Sequence, residues 1–225
     1  METTMPKVKQ EYVAEKERSI VDAAIRVCKS KPVYAVTLRD VVKECGISQG
    51  GLYHYFKDID EIFAEILNRY LAENKIDEAE YNIFESDKPL DEIIISAFAV
   101  LGQMIDDIAN QYGSLIIELN SIYLNEPERG KKVVSRISNH SDMEVFYDKT
   151  FSLIETHIAN GDCELAVPIE HLKLLVDVTM SGIQQAVTFS QKFRNGENEH
   201  DQTKEHITAK DMMIILAYSI NGLLK

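Results

Sequence analysis

Between residues 49 and 57 the chain reads QGGLYHYFK, and the polar side chains of this run are of the types that handle nucleic acid. Gln49 carries an amide that can pair with the edge of adenine or bridge to it through water. Tyr53, His54 and Tyr55 combine a ring with a hydrogen-bonding group, and Lys57 offers a point charge to a phosphate. Gly50 and Gly51 each cost about 1 kcal/mol relative to Ala inside a helix, so two of them in a first helical turn imply a close approach to a neighbour. No other set points to enzymatic chemistry. The sequence has no Gly-rich phosphate loop, no Gly-x-Ser-x-Gly and no His-Glu-x-x-His, and His54, His140, His157, His171, His200 and His206 lack metal-ligand spacing. Catalytic residues, a metal site and a cofactor are not expected.

The residues before this run supply the elements that must position it. Thr37 can cap a short helix through the amide of Asp40, and Leu38, Val41 and Val42 then repeat at i, i+3 and i+4. Gly46 is the residue type that ends a helix in a left-handed conformation at least cost, and Ile47 follows as the apolar plug of a tight turn. Ser48 offers a second cap. The next helix is expected over residues 49–56, with Leu52 and Phe56 inward and Gln49, Gly50, Tyr53 and His54 outward. Two short helices joined by a Gly-containing turn read as helix-turn-helix. Upstream, a helix over residues 11–29 is expected to turn Val13, Ile20, Ala24, Val27 and Cys28 inward and to end at Lys31-Pro32, where the proline disfavours helical backbone. A polar arm through Gln10 precedes it and is expected to be disordered without DNA. Downstream, Ile59, Ile62, Phe63, Ile66, Leu67, Tyr70 and Leu71 give the strongest amphipathic pattern, a fourth helix over about residues 58–79 that links the reading head to the rest.

The run TLRDVVKECGISQGGLYHYFKDIDEIF, residues 37–63, closely resembles the DNA-binding domain of the TetR family of transcriptional regulators. The likeness lies in the Gly-Ile-Ser turn, the small-residue helix ending in Leu-Tyr-His-Tyr-Phe, the Lys after it and the acidic start of the fourth helix. It reaches back to about Tyr12 and covers roughly the first 70 residues; beyond that, length, helical pattern and the placing of the last two helices are similar. The resemblance implies DNA contacts from Thr37, Arg39, Ser48, Gln49, Gly50, Gly51, Tyr53, His54, Tyr55 and Lys57. It also implies a homodimer that binds a palindromic operator in double-stranded DNA and a small-molecule effector that releases it.

Charge is divided along the chain in the same sense. Residues 1–57 hold 10 Lys+Arg against 7 Asp+Glu, a net +3, whereas residues 58–225 carry a net −16, making the overall −13. A basic end can face phosphates while an acidic body discourages indiscriminate association. With 225 residues and 45% hydrophobic content the chain can bury a substantial core in one or two domains. No apolar run reaches membrane-spanning length and the first residues lack a signal-peptide core, so a cytoplasmic protein is expected. Cys28, Cys45 and Cys163 are odd in number and widely separated, and are read as packing residues.

The expected architecture is all-α, with about nine helices in total. A three-helix helix-turn-helix DNA-binding domain spans residues 1–57, and a larger helical effector-binding and dimerisation domain spans residues 58–225. Residues 90–109 are apolar nearly all round and belong in the centre of a bundle, beside segments 114–124 and 127–160. These three segments are the expected walls of a ligand cavity. Phe98, Met104, Tyr123, Tyr147 and Phe151 would supply apolar surface, and Gln103, Glu118 and Asn120 would orient a mainly apolar effector. A cavity-facing Glu118 would favour a cationic group. The last two helices, over residues 169–193 and 209–224, carry more apolar surface than one contact requires, which suggests a partner. In the family resembled here these helices form a four-helix dimer interface, with Ile183, Ala186, Val187, Met213, Leu216, Ala217 and Ile220 the residues expected in it; a polar loop over 195–206 joins them. The expected function is a ligand-responsive dimeric repressor. A transcriptional activator of the same fold, or a helical dimer acting through protein contacts, stands as the alternative.

Overall fold

The computed structural model describes residues 7–194 and 208–225, with side chains over 11–190 and 208–225. Its helices are α1 (Lys7–Ser30), α2 (Leu38–Cys45), α3 (Gln49–Tyr53), α4 (Ile59–Glu73), α5 (Glu78–Tyr81), α6 (Leu90–Tyr112), α7 (Leu115–Asn125), α8 (Pro127–Val134), α9 (Asp142–Asn160), α10 (Ile169–Arg194) and α11 (Ala209–Asn221). The all-α expectation holds, in more pieces than anticipated. Residues 7–10 already belong to α1, whereas the rest of the expected arm and the 195–206 loop lie outside the described residues.

Two departures have identifiable causes, one local and one tertiary. The segment expected to run unbroken from 127 to 160 divides into α8 and α9, because Ser141 ends the intervening stretch as an N-cap, its hydroxyl accepting from the Glu144 amide at 3.3 Å. The fourth helix stops at Glu73 rather than near 79. Past it, the amide of Ile76 donates to Asp142 at 3.1 Å and Lys75 pairs with the same carboxylate at 2.9 Å, so tertiary bonds replace helical ones.

The chain forms two compact units, Met1–Ala72 with Ser114–Asn139, and Glu73–Gly113 with His140–Lys225. The first holds α4, α7 and α8 as well as the helix-turn-helix, so the compact units do not divide at residue 57. In this unit Ile20, Ala24, Val27 and Cys28 of α1 are buried, as their spacing requires, while Val13 is only half-buried. Burial, with the nearby charge of Glu118, pushes the Cys28 thiol up to about 12, which keeps it a protonated packing residue. The Val33 amide, in the turn between α1 and α2, donates to Glu118 at 2.8 Å, and the Ser114 hydroxyl donates to the other oxygen of that carboxylate at 2.7 Å. Gly130 lets α8 lie against α7: a Cβ there would stand 2.8 Å from the Tyr123 carbonyl oxygen.

The second unit is built around α6, which buries Ile94, Phe98, Leu101 and Ile105 among residues of α9, α10 and α11. α6 closely approaches the start of α11, where a Cβ on Gly102 would lie 2.5 Å from the Cα of Lys210. Asp106 accepts the otherwise unpaired amides of Ala209 and Lys210 at 2.9 and 3.1 Å, tying the N-terminus of α11 to α6. Tyr81 packs edge-on and Phe84 tilted against Phe146, with centroids 5.1 and 4.9 Å from it. An isolated bridge pairs Leu165 with Leu224 and fixes the chain end.

Candidate nucleic-acid interface

The helix-turn-helix is assembled from reciprocal local bonds. The Thr37 hydroxyl accepts the Asp40 amide at 3.3 Å, while Asp40 accepts the Thr37 amide at 2.9 Å and its hydroxyl at 2.6 Å, a complete capping box. The Lys31 ammonium, 2.7 Å away, together with these Thr37 bonds, holds the Asp40 carboxyl down at about 2. Gly46 ends α2 in the left-handed region at φ +67°, its amide donating to Val42 at 3.1 Å. Ser48 then caps α3 through the Gly51 amide at 3.1 Å. The helix is shorter than the expected 49–56, but Tyr55 and Phe56 both donate to the Leu52 carbonyl, at 2.9 and 3.0 Å. That tight turn still delivers Leu52 and Phe56 to the core, 0% and 7% exposed.

On the opposite side Gln49, Gly50, Tyr53 and His54 are exposed; Tyr55 is half-buried, its ring edge-on to His54 at 5.3 Å. Thr37 and Ser48 are exposed beside them, though each hydroxyl is already engaged in its cap. Arg39 and Lys57 are exposed and make no ion pair among the described residues, so both charges are available. The two glycines separate. A Cβ on Gly51 would lie 3.1 Å from the Ser48 hydroxyl, so its smallness serves the cap. A Cβ on Gly50 would meet nothing within 4 Å, and its backbone is not in the left-handed region. Nothing within the described chain therefore asks for glycine at position 50. An exposed amide, phenol and imidazole around an open backbone, with free cations nearby, suit the edges of bases in a major groove and the phosphates beside them.

Residues 20–66 match the family model of bacterial regulatory proteins of the tetR family. Over these residues the chain is a tetR-family regulatory domain. A relative, the uncharacterized HTH-type transcriptional regulator YfiR of Bacillus subtilis, is 28% identical over 83% of this chain and 87% of its own length. The HTH-type transcriptional regulator AcrR of Shigella flexneri is 26% identical over 50% of this chain and 51% of its own. The HTH-type transcriptional repressor Rv1474c of Mycobacterium tuberculosis is 34% identical over 26% of this chain and 32% of its own. Among solved structures, GusR of Salmonella enterica covers 92% of this chain and 94% of its own at 15% identity and a TM-score of 0.51. A TetR/AcrR-family regulator from Thermobifida fusca covers 92% and 96% at 16% identity and a TM-score of 0.50. At those identities the structural matches speak for the fold, a TetR-like all-α arrangement.

The residues expected to line a cavity are dispersed. A cleft of about 480 Å³ in the second unit is lined by Ile105 of α6, by Ser141, Met143, Glu144, Tyr147 and Asp148 at the start of α9, and by Asp177, Met180, Ser181 and Gln184 of α10. Of the expected set only Tyr147 lines it. Burial and the neighbouring Asp177 carboxylate raise the Tyr147 hydroxyl well above its usual range, so it stays a neutral donor, bonded to the Lys173 carbonyl at 3.3 Å. Phe98, Met104 and Phe151 sit in the core, and Gln103 is exposed and donates to Asp107 at 3.0 Å. Glu118, Asn120 and Tyr123 belong to the first unit. Glu118 is committed to Val33 and Ser114, Tyr123 donates to Asp60 at 3.1 Å, and Asn120 is exposed. The sequence could not reveal this, since Val33 and Asp60, which hold Glu118 and Tyr123, lie far off along the chain. Ser141 was not expected because it lies at the break between α8 and α9, outside any periodic pattern, and Met180 and Gln184 were not because the face of α10 that lines the cleft is set by its packing against α6 and α9.

The apolar surface of α10 and α11 is divided in a phase that sequence did not resolve. Ile183, Val187, Met213, Leu216, Ala217 and Ile220 are buried, 0 to 8% exposed, inside the second unit's own core; Ala186 alone of the expected set is exposed. Leu174, Val178 and Phe189 of α10 and Ile215 and Tyr218 of α11 stand out instead, each more than half exposed. Both faces of each helix are apolar, so periodicity alone does not decide which turns inward.

Proposed function

We propose that the chain is a dimeric, ligand-responsive transcriptional repressor that binds a palindromic operator through α3 and is released by a small, mainly apolar effector. The observation that carries this reading is Gly50, a glycine without an internal reason on an exposed helix face among Gln49, Tyr53 and His54, with Arg39 and Lys57 as free cations. Thr37, Ser48, Gly51 and Tyr55 complete the proposed DNA-facing set. One such helix reads only a few bases, so a twofold dimer that reads two half-sites ~34 Å or more apart is the economical arrangement. The exposed stripe of Val178, Phe189, Ile215 and Tyr218 supports an interface formed by α10 and α11. The cleft between α6, α9 and α10 supports an effector site, its Met and Tyr walls suiting an apolar body. Repression is inferred from the mycobacterial relative, which is named a repressor and matches within one quarter of this chain.

The test is footprinting of the purified protein on DNA from upstream of its own gene and on duplexes selected from a random pool, at several salt concentrations with competitor. A protected inverted repeat that outlasts competitor supports the reading. Binding that fades equally on all sequences as salt rises, with nothing enriched from the pool, removes it.

A further inference from the structure

The first unit carries an array of ion pairs that contact with DNA does not by itself require. Asp58, Asp60 and Glu61 follow Lys57 at the start of α4. Acids at a helix N-terminus are favoured by the helix dipole, but here each is also met by its own cation from α8 or the residues just past it. Lys132 lies 2.6 Å from Asp58, Arg129 bonds both Asp60 oxygens at 2.8 Å, and Arg136 lies 2.7 Å from Glu61. The second Glu61 oxygen accepts the backbone amide of Lys57 at 2.7 Å, so the array reaches the end of the reading head. The carboxylate side chains of Asp60 and Glu61 are only 13% and 9% exposed, and water does little to screen them. Stripped of their cations, the three carboxylates, which follow Lys57 directly in the chain, would repel a phosphate held by it over a screening length of ~10 Å at 0.1 M salt.

We propose that α8 is an electrostatic counterweight of the reading head. By neutralising Asp58, Asp60 and Glu61 it keeps this end of the helix-turn-helix attractive to phosphate, and a shift of α8 off α4 weakens DNA binding without moving a DNA-facing side chain. The inference rests on the DNA-binding reading above. Chain connectivity supplies a route for such a shift. Asn68 of α4 donates to the Arg136 carbonyl at 3.0 Å and accepts the Ser138 amide at 2.9 Å, while Asn139 donates to the Asn68 carbonyl at 3.1 Å. Ser141, Met143 and Glu144 of the cleft come directly after this stretch in the chain. Displacement of those cleft residues by a ligand would be passed along the backbone to the segment that holds Arg136 and α8.

The test uses the full chain, a fluorescent duplex of arbitrary sequence at low and moderate salt, and melting curves to check folding. The Lys132–Asp58 pair is part exposed, 51% and 39%, so its substitution leaves the fold intact. Lys132→Gln is expected to weaken binding about three- to tenfold at low salt. Lys131→Gln removes the same charge from the same helix, but Lys131 pairs with Glu128 of α8 itself, and a loss below about twofold is expected. Asp58→Asn, which leaves Lys132 unopposed, is expected to strengthen binding by a similar factor alone and to restore near wild-type affinity in the Lys132→Gln background. A double variant Lys132→Gln/Asp58→Asn that binds no tighter than Lys132→Gln, or equal losses in the two lysine variants, overturns the counterweight and leaves DNA binding standing. A wild-type chain that binds no duplex at low salt overturns both.

Discussion

Gly50→Ala separates a reading surface from a packing motif more cleanly than any other single change. The new methyl group meets nothing within 4 Å, and the backbone at residue 50 needs no left-handed conformation, so no clash or strain opposes it. Ala in place of Gly in a helix then gains about 0.5–1 kcal/mol, chiefly by restricting the unfolded chain. For a chain of this size, a gain of that order corresponds to a melting temperature higher by roughly 1–4 °C. Binding should move the other way, because the methyl group sits where a base edge or phosphate is proposed to approach. A loss of tenfold or more, about 1.4 kcal/mol, is expected. Melting curves and anisotropy titrations against a duplex selected by the wild-type chain measure both quantities on one sample. Gly51→Ala is the internal comparison: its Cβ would stand 3.1 Å from the Ser48 hydroxyl, so it disturbs a cap and does not share the gain. An unchanged affinity in Gly50→Ala, or a lowered melting temperature, would refute the reasoning.

Lys57→Ala is expected to weaken all duplexes alike and to lower the salt slope by about one, whereas Tyr53→Ala should lose preference for the selected duplex with little change in melting. Equal thermal destabilisation of both would identify them as packing residues. At the proposed interface, Val178→Glu with Ile215→Glu, at positions 64% and 57% exposed, is expected to give folded monomers in sedimentation, and a persistent dimer would put the interface elsewhere. Ala217→Glu, at a fully buried position, should instead unfold the second unit. Asp40→Ala should lower the urea midpoint at pH 7 by an amount equivalent to ~1 kcal/mol through loss of the cap. Because Lys31 and Thr37 depress this carboxyl to about 2, below its unfolded value of 3.8, its contribution is present above pH 4 and is lost as pH falls toward 2. The gap between wild type and variant should narrow over that window; a constant gap down to pH 2 would count against the assignment.

The reading head was legible because its chemistry is local. Thr37, Asp40, Gly46 and Ser48 act on amides within a few residues of themselves, so side-chain type and spacing are enough to place α2, the turn and α3. The inward pairing of Leu52 with Phe56 followed from the same short-range geometry, even though the helix between them ends early. Helix ends set by distant partners were not legible. α4 stops where Asp142 takes over the Ile76 amide, a bond across 66 residues.

By itself, then, the sequence determined an all-α chain and a capped helix-turn-helix of tetR type with an exposed polar face, since each rests on amide and side-chain bonds closed within one or two turns. Tertiary structure alone decided the rest. Glu118 and Tyr123 serve the first unit because Val33 and Asp60 meet them there, and α8 answers the acidic start of α4 with Arg129 and Lys132. On α10 and α11 both faces are apolar, and only packing against α6 determined that Met213 and Ala217 turn inward while Val178 and Ile215 face out. The physical reason is one of range: backbone and capping bonds are satisfied among neighbours in sequence, whereas burial and charge pairing are settled by whichever surfaces the fold brings together.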